Sequence, residues 1–314
     1  MDRDQNPLER RALRGVPGEG RPEKTGREWS LRDHKSLLHG IVCLTALVAL
    51  LAWAGTLQAA PKADLWTYWE QHRPDSQQRV DHSAWDRLLK RYVVQGDTGV
   101  NLVRYSQVSH QDKAKLDGYL QRLQQVEVRS LRRGEQLAYW INLYNALTVQ
   151  LVLEHYPVDS IKDIDISPGL FSVGPWDKKL VNVEGKKLSL NDIEHRILRP
   201  IWEDPRIHYA VNCASLGCPN LQREAFTAEN AEELMEKGAR EYINHPRGAE
   251  LIDSELVASS IYDWFQEDFG GTEAGVIDHL MGYASQELLS RLREARGIDE
   301  YRYDWSLNGW RKAE

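Results

Sequence analysis

Cys213 and Cys218, two of the three cysteines in this chain of 314 residues, lie close together in the segment 208–221. A deprotonated cysteine is both a nucleophile and a metal ligand, so chemistry is expected first at this pair. Residues 209–211 predict the end of a short buried strand, and the serine, glycine and proline that follow break any regular pattern. Cys213 is then expected at a strand end, where free backbone N–H groups favour the thiolate.

Four interpretations of the pair are open. Cys213 is a reactive thiol, or the two cysteines form a small disulfide loop of the kind an exported protein carries, or both are inert buried thiols. In the fourth interpretation they bind a metal with His195 or His208, although the spacing lacks a second close pair of ligands. The reactive thiol at Cys213 is the leading interpretation, and neither a metal nor a cofactor is predicted.

A catalytic cysteine needs a base and a group that orients the base. His195 is predicted as the base of Cys213, with Glu194 or Asp304 orienting the imidazole. Glu194 is expected on the buried side of a helix that begins after the hairpin at 179–190. The alternative is that His195 is a surface or capping histidine and that Asp304 belongs to a structural turn.

Asn142 and Asn145 share a largely apolar flank of the strongest predicted helix, residues 134–154. A buried amide without a partner costs about 1–3 kcal/mol, so each side chain must be hydrogen-bonded. One interpretation makes the two asparagines oxyanion donors for a cysteine nucleophile. The other makes them anchors for the backbone of a neighbouring loop.

The remaining periodicity predicts a mostly helical α+β domain around a small antiparallel sheet. The order His195 before Cys213 differs from that of papain-like proteases, so a thiol-protease-like fold in a permuted order is left open. Alternating runs around a Glu-Gly pair predict the hairpin, and Ser189 with Asp192 predicts a capped helix start. Further helices are predicted at 66–72, 85–94, 113–126, 190–199, 228–243, 259–269 and 275–296, with an extended segment at 99–105.

The N-terminal region differs from the rest of the chain. Residues 1–35 are charged and poor in aromatic side chains, which predicts a disordered cytoplasmic tail. Residues 36–60 contain an apolar run preceded by basic residues and predict a signal peptide or a signal anchor in the membrane. Residues 61–314 are then a single exported domain, periplasmic or anchored to the inner membrane outside the cytoplasm. The net charge of −7 argues against a nucleic-acid partner.

Several motifs in the same order resemble the domain of unknown function 547 family over about residues 80–310. The residue before a tyrosine motif in the early extended segment is usually acidic in that family, whereas this chain has Asn101. The family's name implies no activity. The matching segments are 138–147, 156–157 with 160–161, 188–195, 198–200, 204–210, 212–215 with 217–219, and 303–308.

The predicted function is a cysteine-dependent hydrolase or acyltransferase of the cell envelope. Its substrate would be a small molecule, a peptide or an envelope component. The alternative is a non-catalytic envelope module in which Cys213 and Cys218 form a disulfide loop and aromatic surfaces bind a partner. The enzyme requires a reduced Cys213 with a depressed pKa.

Overall fold

A buried helix of 23 residues, Arg133–His155, is the central element of the fold. Its sequence is apolar on nearly every side, and a helix without a polar face is stable only where other elements surround it. Trp140, near its middle, is fully buried. The predicted helix at 134–154 is therefore confirmed, and the asparagines on it are held inside the protein.

The computed structural model describes residues 61–169 and 173–311. The helices are α1 (Ser83–Tyr92), α2 (His110–Leu123), α3 (Arg133–His155), α4 (Leu190–Ile193), α5 (Arg199–Trp202), α6 (Ile207–Ala210), α7 (Ala231–Ile243), α8 (Ser260–Trp264), α9 (Glu273–Tyr283) and α10 (Gln286–Leu292). A π turn, Glu194–Leu198, joins α4 to α5, and short 3₁₀ turns lie at Thr67–Trp69, Tyr105–Gln107, Val128–Ser130, Ile161–Asp163 and Gln266–Phe269. The strands are β1 (Val93–Gln95), β2 (Asn101–Val103), β3 (Val181–Val183), β4 (Lys186–Leu188), β5 (Ala249–Ile252), β6 (Glu255–Ser259) and β7 (Glu300–Arg302).

The strands form small sheets at the edges of the helical body. β1 pairs with β2 and β3 with β4, both antiparallel, while β6 pairs antiparallel with β5 and parallel with β7. The predicted hairpin is confirmed, and Glu184 and Gly185 at its turn both have positive φ, as a two-residue hairpin turn requires. The fold is therefore α+β with small, mainly antiparallel sheets.

The buried side chains form two hydrophobic clusters. The larger surrounds α3, and the smaller lies between α6, α7, α9 and the three-stranded sheet. Tyr209 belongs to the smaller cluster, whereas Ala210, Val211 and Ala214 belong to the larger. The cysteine segment therefore runs along the boundary between the two clusters, where elements from both can reach it.

Some predicted elements were wrong. Residues 209–211 are not a strand end: Ile207–Ala210 is a helical turn, because Asp204 and Pro205 start a helix and a short apolar run does not distinguish helix from strand. The helix predicted at 190–199 continues to Trp202, because a π turn at Glu194–Leu198 widens it just before Pro200, which has no N–H to donate. The helix at 66–72 is only a 3₁₀ turn, and that at 275–296 is divided between α9 and α10.

The predicted tail 1–35 and apolar segment 36–60 lie outside the described residues. Among the residues that the structure describes, no helix is both long and apolar enough to cross a bilayer.

Candidate functional site

Cys213 lies in the turn that follows α6, and its side chain is partly exposed. Its Sγ is 3.0 Å from the Cys218 Sγ, 3.0 Å from the Tyr303 hydroxyl and 3.3 Å from the Ser215 Oγ. Both cysteines are free thiols, and Cys218 is buried. The Cys218 thiol and the Tyr303 and Ser215 hydroxyls can therefore each donate a hydrogen bond to the Cys213 sulfur.

The turn around Cys213 has an unusual backbone. Ala214 has a φ of 60°, in the left-handed region, and its N–H donates to the Asn212 Oδ1 at 2.9 Å. An asparagine side chain that accepts from the backbone two residues on stabilises such a turn. The Asn308 N–H donates to the Ala214 carbonyl at 3.0 Å, which holds the turn against the C-terminal segment.

Gly217 permits the close approach of the C-terminal segment that carries Tyr303. Its N–H donates to the Asp304 carbonyl at 2.8 Å, and a Cβ at this position would lie 2.7 Å from the Asp304 nitrogen. Any larger residue would push the two backbones apart. The Tyr242 hydroxyl donates to the Gly217 carbonyl at 2.6 Å, so α7 also fixes this loop.

The two thiols differ in acidity. Hydrogen bonding from Cys218, followed by bonds from Ser215 and Tyr303, lowers the pKa of Cys213 against the opposing effect of burial. Burial raises the pKa of Cys218, and the neighbouring Cys213 sulfur raises it further. Cys213 is therefore the thiol that ionises first, while Cys218 stays protonated and donates to it.

The two asparagines of α3 anchor loop backbone. The Asn145 Nδ2 donates to the Ala210 carbonyl at 2.8 Å, and its Oδ1 accepts from the Asn212 N–H at 2.8 Å. Asn142 makes the same pair of bonds with the backbone of Phe226, at 2.7 and 3.0 Å. Their roles as oxyanion donors stay a prediction, since each amide is already engaged with a loop. Asn145 holds both ends of the peptide stretch that leads into Cys213.

Replacing Asn145 by alanine is expected to lower the free energy of unfolding by about 2–4 kcal/mol, because a buried carbonyl and a buried N–H each lose their partner. The rate of Cys213 alkylation should also change, since the turn loses its anchor. Asn142→Ala is the matched control: it should destabilise to a similar extent but leave alkylation unchanged, because Phe226 lies outside the cysteine turn. Urea unfolding and a timed alkylation assay measure both effects. Equal changes in alkylation for the two variants would contradict this assignment.

His195 and Glu194 belong to a buried ionic cluster, formed with Arg199, His208 and Asp268. The Arg199 guanidinium binds Asp268 through two bonds of 2.6 and 3.1 Å, and its Nη1 lies 3.0 Å from the His195 Nδ1. The His208 Nε2 is 2.6 Å from the Asp268 Oδ2, and its Nδ1 is 3.9 Å from the Glu194 Oε1. Both basic partners hold the pKa of Asp268 well below its usual range despite burial.

The predicted base does not meet the predicted nucleophile through a hydrogen bond. Across the described ranges 61–169 and 173–311, no such bond joins His195 to Cys213, and burial lowers the pKa of His195 to about 4. Glu194 is buried, as expected, and its charge acts on Cys213 by opposing the thiolate. Asp304 is exposed and accepts from the Ser306 N–H at 2.8 Å, which is a turn contact. The catalytic roles of His195, Glu194 and Asp304 stay predictions.

Tyr303 is the residue of this site that the sequence did not identify. It lies 90 positions after Cys213, in a C-terminal segment expected only to pack on the domain. Burial raises its pKa, so its hydroxyl remains protonated and can donate. Its place within the family-like motif 303–308 was the only feature of the sequence that could have identified it.

Asn101 stands where the resembled family usually has an acidic residue. Its Nδ2 donates to the Leu221 carbonyl at 2.9 Å and so stabilises the end of the segment 208–221 that contains both cysteines.

A cavity of about 440 Å³ opens beside Tyr303 and Gly217. Its wall contains charges of both signs, including Arg247 and Glu250. On another side Tyr303 packs against two half-exposed tryptophans, Trp264 at 4.9 Å and Trp305 at 4.7 Å between ring centroids. A space of this size, with aromatic and charged walls, suits a small polar ligand or a short peptide.

In the part of the chain that the structure describes, no group of three or more histidine, cysteine, aspartate or glutamate side chains has the arrangement of a metal site. The fourth interpretation of the cysteine pair therefore gains no support from the geometry.

Residues 128–243 match the model of a protein family described as protein of unknown function, DUF547. The resemblance predicted from the sequence is confirmed over this span, which contains the buried ionic cluster up to His208 and the cysteine pair. Tyr303 and Asp268 lie outside it. No curated protein and no solved structure matches the chain.

Proposed function

We propose that the protein is a cysteine-dependent hydrolase or acyltransferase of the cell envelope, with Cys213 as its nucleophile. One observation carries the proposal: the sulfur of Cys213, a partly exposed residue, lies within 3.0–3.3 Å of side-chain atoms of Cys218, Tyr303 and Ser215. Hydrogen bonds to a thiolate favour the ionised form, which is the attacking species. The apolar run at 36–60 supports an exported location.

In the proposed reaction the Cys213 thiolate attacks an acyl carbonyl carbon, and a thioester bond forms. The bond between the carbonyl carbon and the leaving amine, alcohol or thiol breaks, and the leaving group takes a proton from the Tyr303 hydroxyl. Water or an acceptor amine then attacks the thioester and returns a proton to Tyr303. Cys213 is released, with the acyl group on water or on the acceptor.

Tyr303 rather than His195 is the proton carrier in this scheme. The hydroxyl is 3.0 Å from the Cys213 sulfur and also 2.9 Å from the Ser215 Oγ, which can relay a proton. Tyr303 is also one of the residues that line the neighbouring cavity, and the scheme places the leaving group there. His195 as the base is retained as a separate prediction, to be tested by the same assay.

Acylation of the full chain by p-nitrophenyl acetate and by a peptide thioester tests the proposal. The expected result is a burst of about one leaving group per protein, with the acyl group mapped to Cys213 by mass spectrometry. Tyr303→Phe should slow acylation at neutral pH about tenfold, because the thiolate loses a charge-assisted hydrogen bond. Tyr301→Phe, in β7 two residues before Tyr303, is the control and should leave the rate unchanged.

Two results would overturn the proposal. The first is acylation that persists in Cys213→Ser. The second is a native protein whose two cysteines react only after reduction, which would favour the binding module with a disulfide loop. His195→Gln separates the two candidates for the proton carrier, since acylation should survive this change if Tyr303 acts.

A further inference from the structure

Cys218 has no role in the acyl-transfer scheme beyond donating a hydrogen bond, yet its sulfur is 3.0 Å from that of Cys213. A disulfide bond is about 2.05 Å long, so the two sulfurs need to approach by only about 1 Å to be joined. The two thiols also differ in access: Cys213 is partly exposed, while Cys218 is 5% exposed. An outer attacking thiol with an inner second thiol is the arrangement that thiol–disulfide exchange requires.

We propose that the pair performs thiol–disulfide exchange with a disulfide of a small thiol or of a peptide, Cys213 attacking and Cys218 resolving. The proposal shares the nucleophile of the proposed function but adds a second activity that depends on Cys218. The Cys213 thiolate attacks one sulfur of the substrate disulfide, a mixed disulfide forms, and the other substrate sulfur leaves as a thiolate. Cys218 gives its proton to that thiolate and attacks the Cys213 Sγ. The internal disulfide forms and the second substrate thiol departs.

The electrons balance in this sequence. The substrate disulfide gains two electrons and becomes two thiols, and the two protein thiols lose two electrons and become a disulfide. A dithiol of the same class reverses every step and returns the pair to its reduced form. No oxidant other than the substrate disulfide is required.

The Cys218 thiol is expected to ionise more easily once Cys213 has reacted. The Cys213 sulfur and its charge help to keep Cys218 protonated, and both effects end when that sulfur is bound in a mixed disulfide. The Cys213 backbone N–H, 3.0 Å from the Cys218 Sγ, then favours the Cys218 thiolate. The partly buried Arg247 side chain also carries a positive charge close enough to Cys218 to interact with it. Cys218 is therefore expected to attack only after Cys213 has formed the mixed disulfide.

Arg247 also fixes the loop between the two thiols. Its Nη1 donates to the Leu216 carbonyl at 3.0 Å and its Nη2 to the Asn220 Oδ1 at 2.6 Å. These bonds hold the segment on both sides of Cys218. The resolving sulfur is therefore kept within reach of Cys213 in both stages of the exchange.

Glutathione disulfide, a small-molecule probe, tests the exchange on the reduced full chain. The third cysteine is removed by Cys43→Ser, so that any reaction of a cysteine is a reaction of Cys213 or Cys218. Samples are quenched in acid, alkylated and analysed by intact mass and peptide mapping. The expected product is a Cys213–Cys218 disulfide with release of two glutathione molecules per protein. Cys218→Ser should instead accumulate one glutathionyl group on Cys213, and Cys213→Ser should not react.

The exchange is overturned if the background protein accumulates the glutathionyl adduct and forms no internal disulfide. It is also overturned if Cys218→Ser accumulates no adduct although iodoacetamide still labels its Cys213. Acylation of Cys213 in the same reduced background protein, with both cysteines of the pair present, is the matched readout for the proposed function. Loss of exchange with retained acylation removes only the second activity, whereas loss of acylation with retained exchange removes only the first.

Discussion

Asp268→Ala is expected to lower the free energy of unfolding by about 3–5 kcal/mol, the cost typical of leaving one partner of a buried ion pair alone. The Arg199 side chain is only 3% exposed and has both of its Asp268 bonds removed by this change. His208, equally buried, loses its Nε2 partner at the same time. Neither side chain can reach water without disrupting α5 or α6. Urea unfolding monitored by tryptophan fluorescence measures the loss.

Glu267→Ala is the matched control, because Glu267 precedes Asp268 in the same 3₁₀ turn and is exposed. The free energy of unfolding of the Glu267→Ala variant should differ from that of the unchanged protein by less than about 0.5 kcal/mol. Asp268→Asn is expected to fall between the two, since an amide keeps one acceptor but loses the charge. If Asp268→Ala were no more destabilising than the control, Asp268 would not stabilise the buried Arg199 and His208 side chains.

Acidification from pH 7 to 4.5 is expected to destabilise the protein by several kcal/mol through its buried histidines. Burial lowers the pKa of His82, His195 and His279 to about 4 each. The unfolded chain takes up these protons near pH 6.5. Between pH 6.5 and 4 the unfolded state therefore binds more protons, and stability falls with falling pH. Each histidine contributes roughly 2 kcal/mol at pH 4.5.

His82→Gln should reduce the slope of stability against pH in this window by about one third, if the three histidines contribute equally. His82 is suited to the test because its Nδ1 contacts only the Tyr119 hydroxyl, at 2.6 Å, and lies away from the cysteine pair. His110→Gln, at an exposed position, is the control and should leave the slope unchanged. Unfolding free energies measured at several pH values provide the slopes. An unchanged slope in His82→Gln would show that this histidine titrates normally in the folded protein.

The features predicted well from the sequence are those whose backbone bonds close within a few residues. The helix α3 follows from its unbroken apolar character, and the hairpin β3–β4 from alternating residues around Glu184 and Gly185. The capped helix start is confirmed by reciprocal bonds between Ser189 and Asp192. In each case local geometry and side-chain polarity leave few alternatives, so distant parts of the chain do not change the outcome.

The family resemblance carried information of a different kind. It identified Asn145 and Cys213 as parts of motifs in one ordered set, and the family model matches the span that contains both. Position alone did not reveal what the asparagine does. Whether a buried amide binds a substrate or a loop depends on which atoms face it, and here the backbone around Ala210 and Asn212 does so.

The candidate site itself was decided by tertiary structure. Cys213 meets Tyr303 across 90 positions, and Arg199 meets Asp268 across 69. Neither encounter has a local signature, because the first depends on how the cysteine turn packs against the C-terminal segment and the second on how α5 packs against the 3₁₀ turn Gln266–Phe269. From the sequence alone, Cys213 could be selected as the candidate nucleophile, but the side chains that contact it could not be identified. Cys213 and the side chains around it are brought together by the burial of apolar surface throughout the domain. The spacing of residues within a single motif contains no information about that burial.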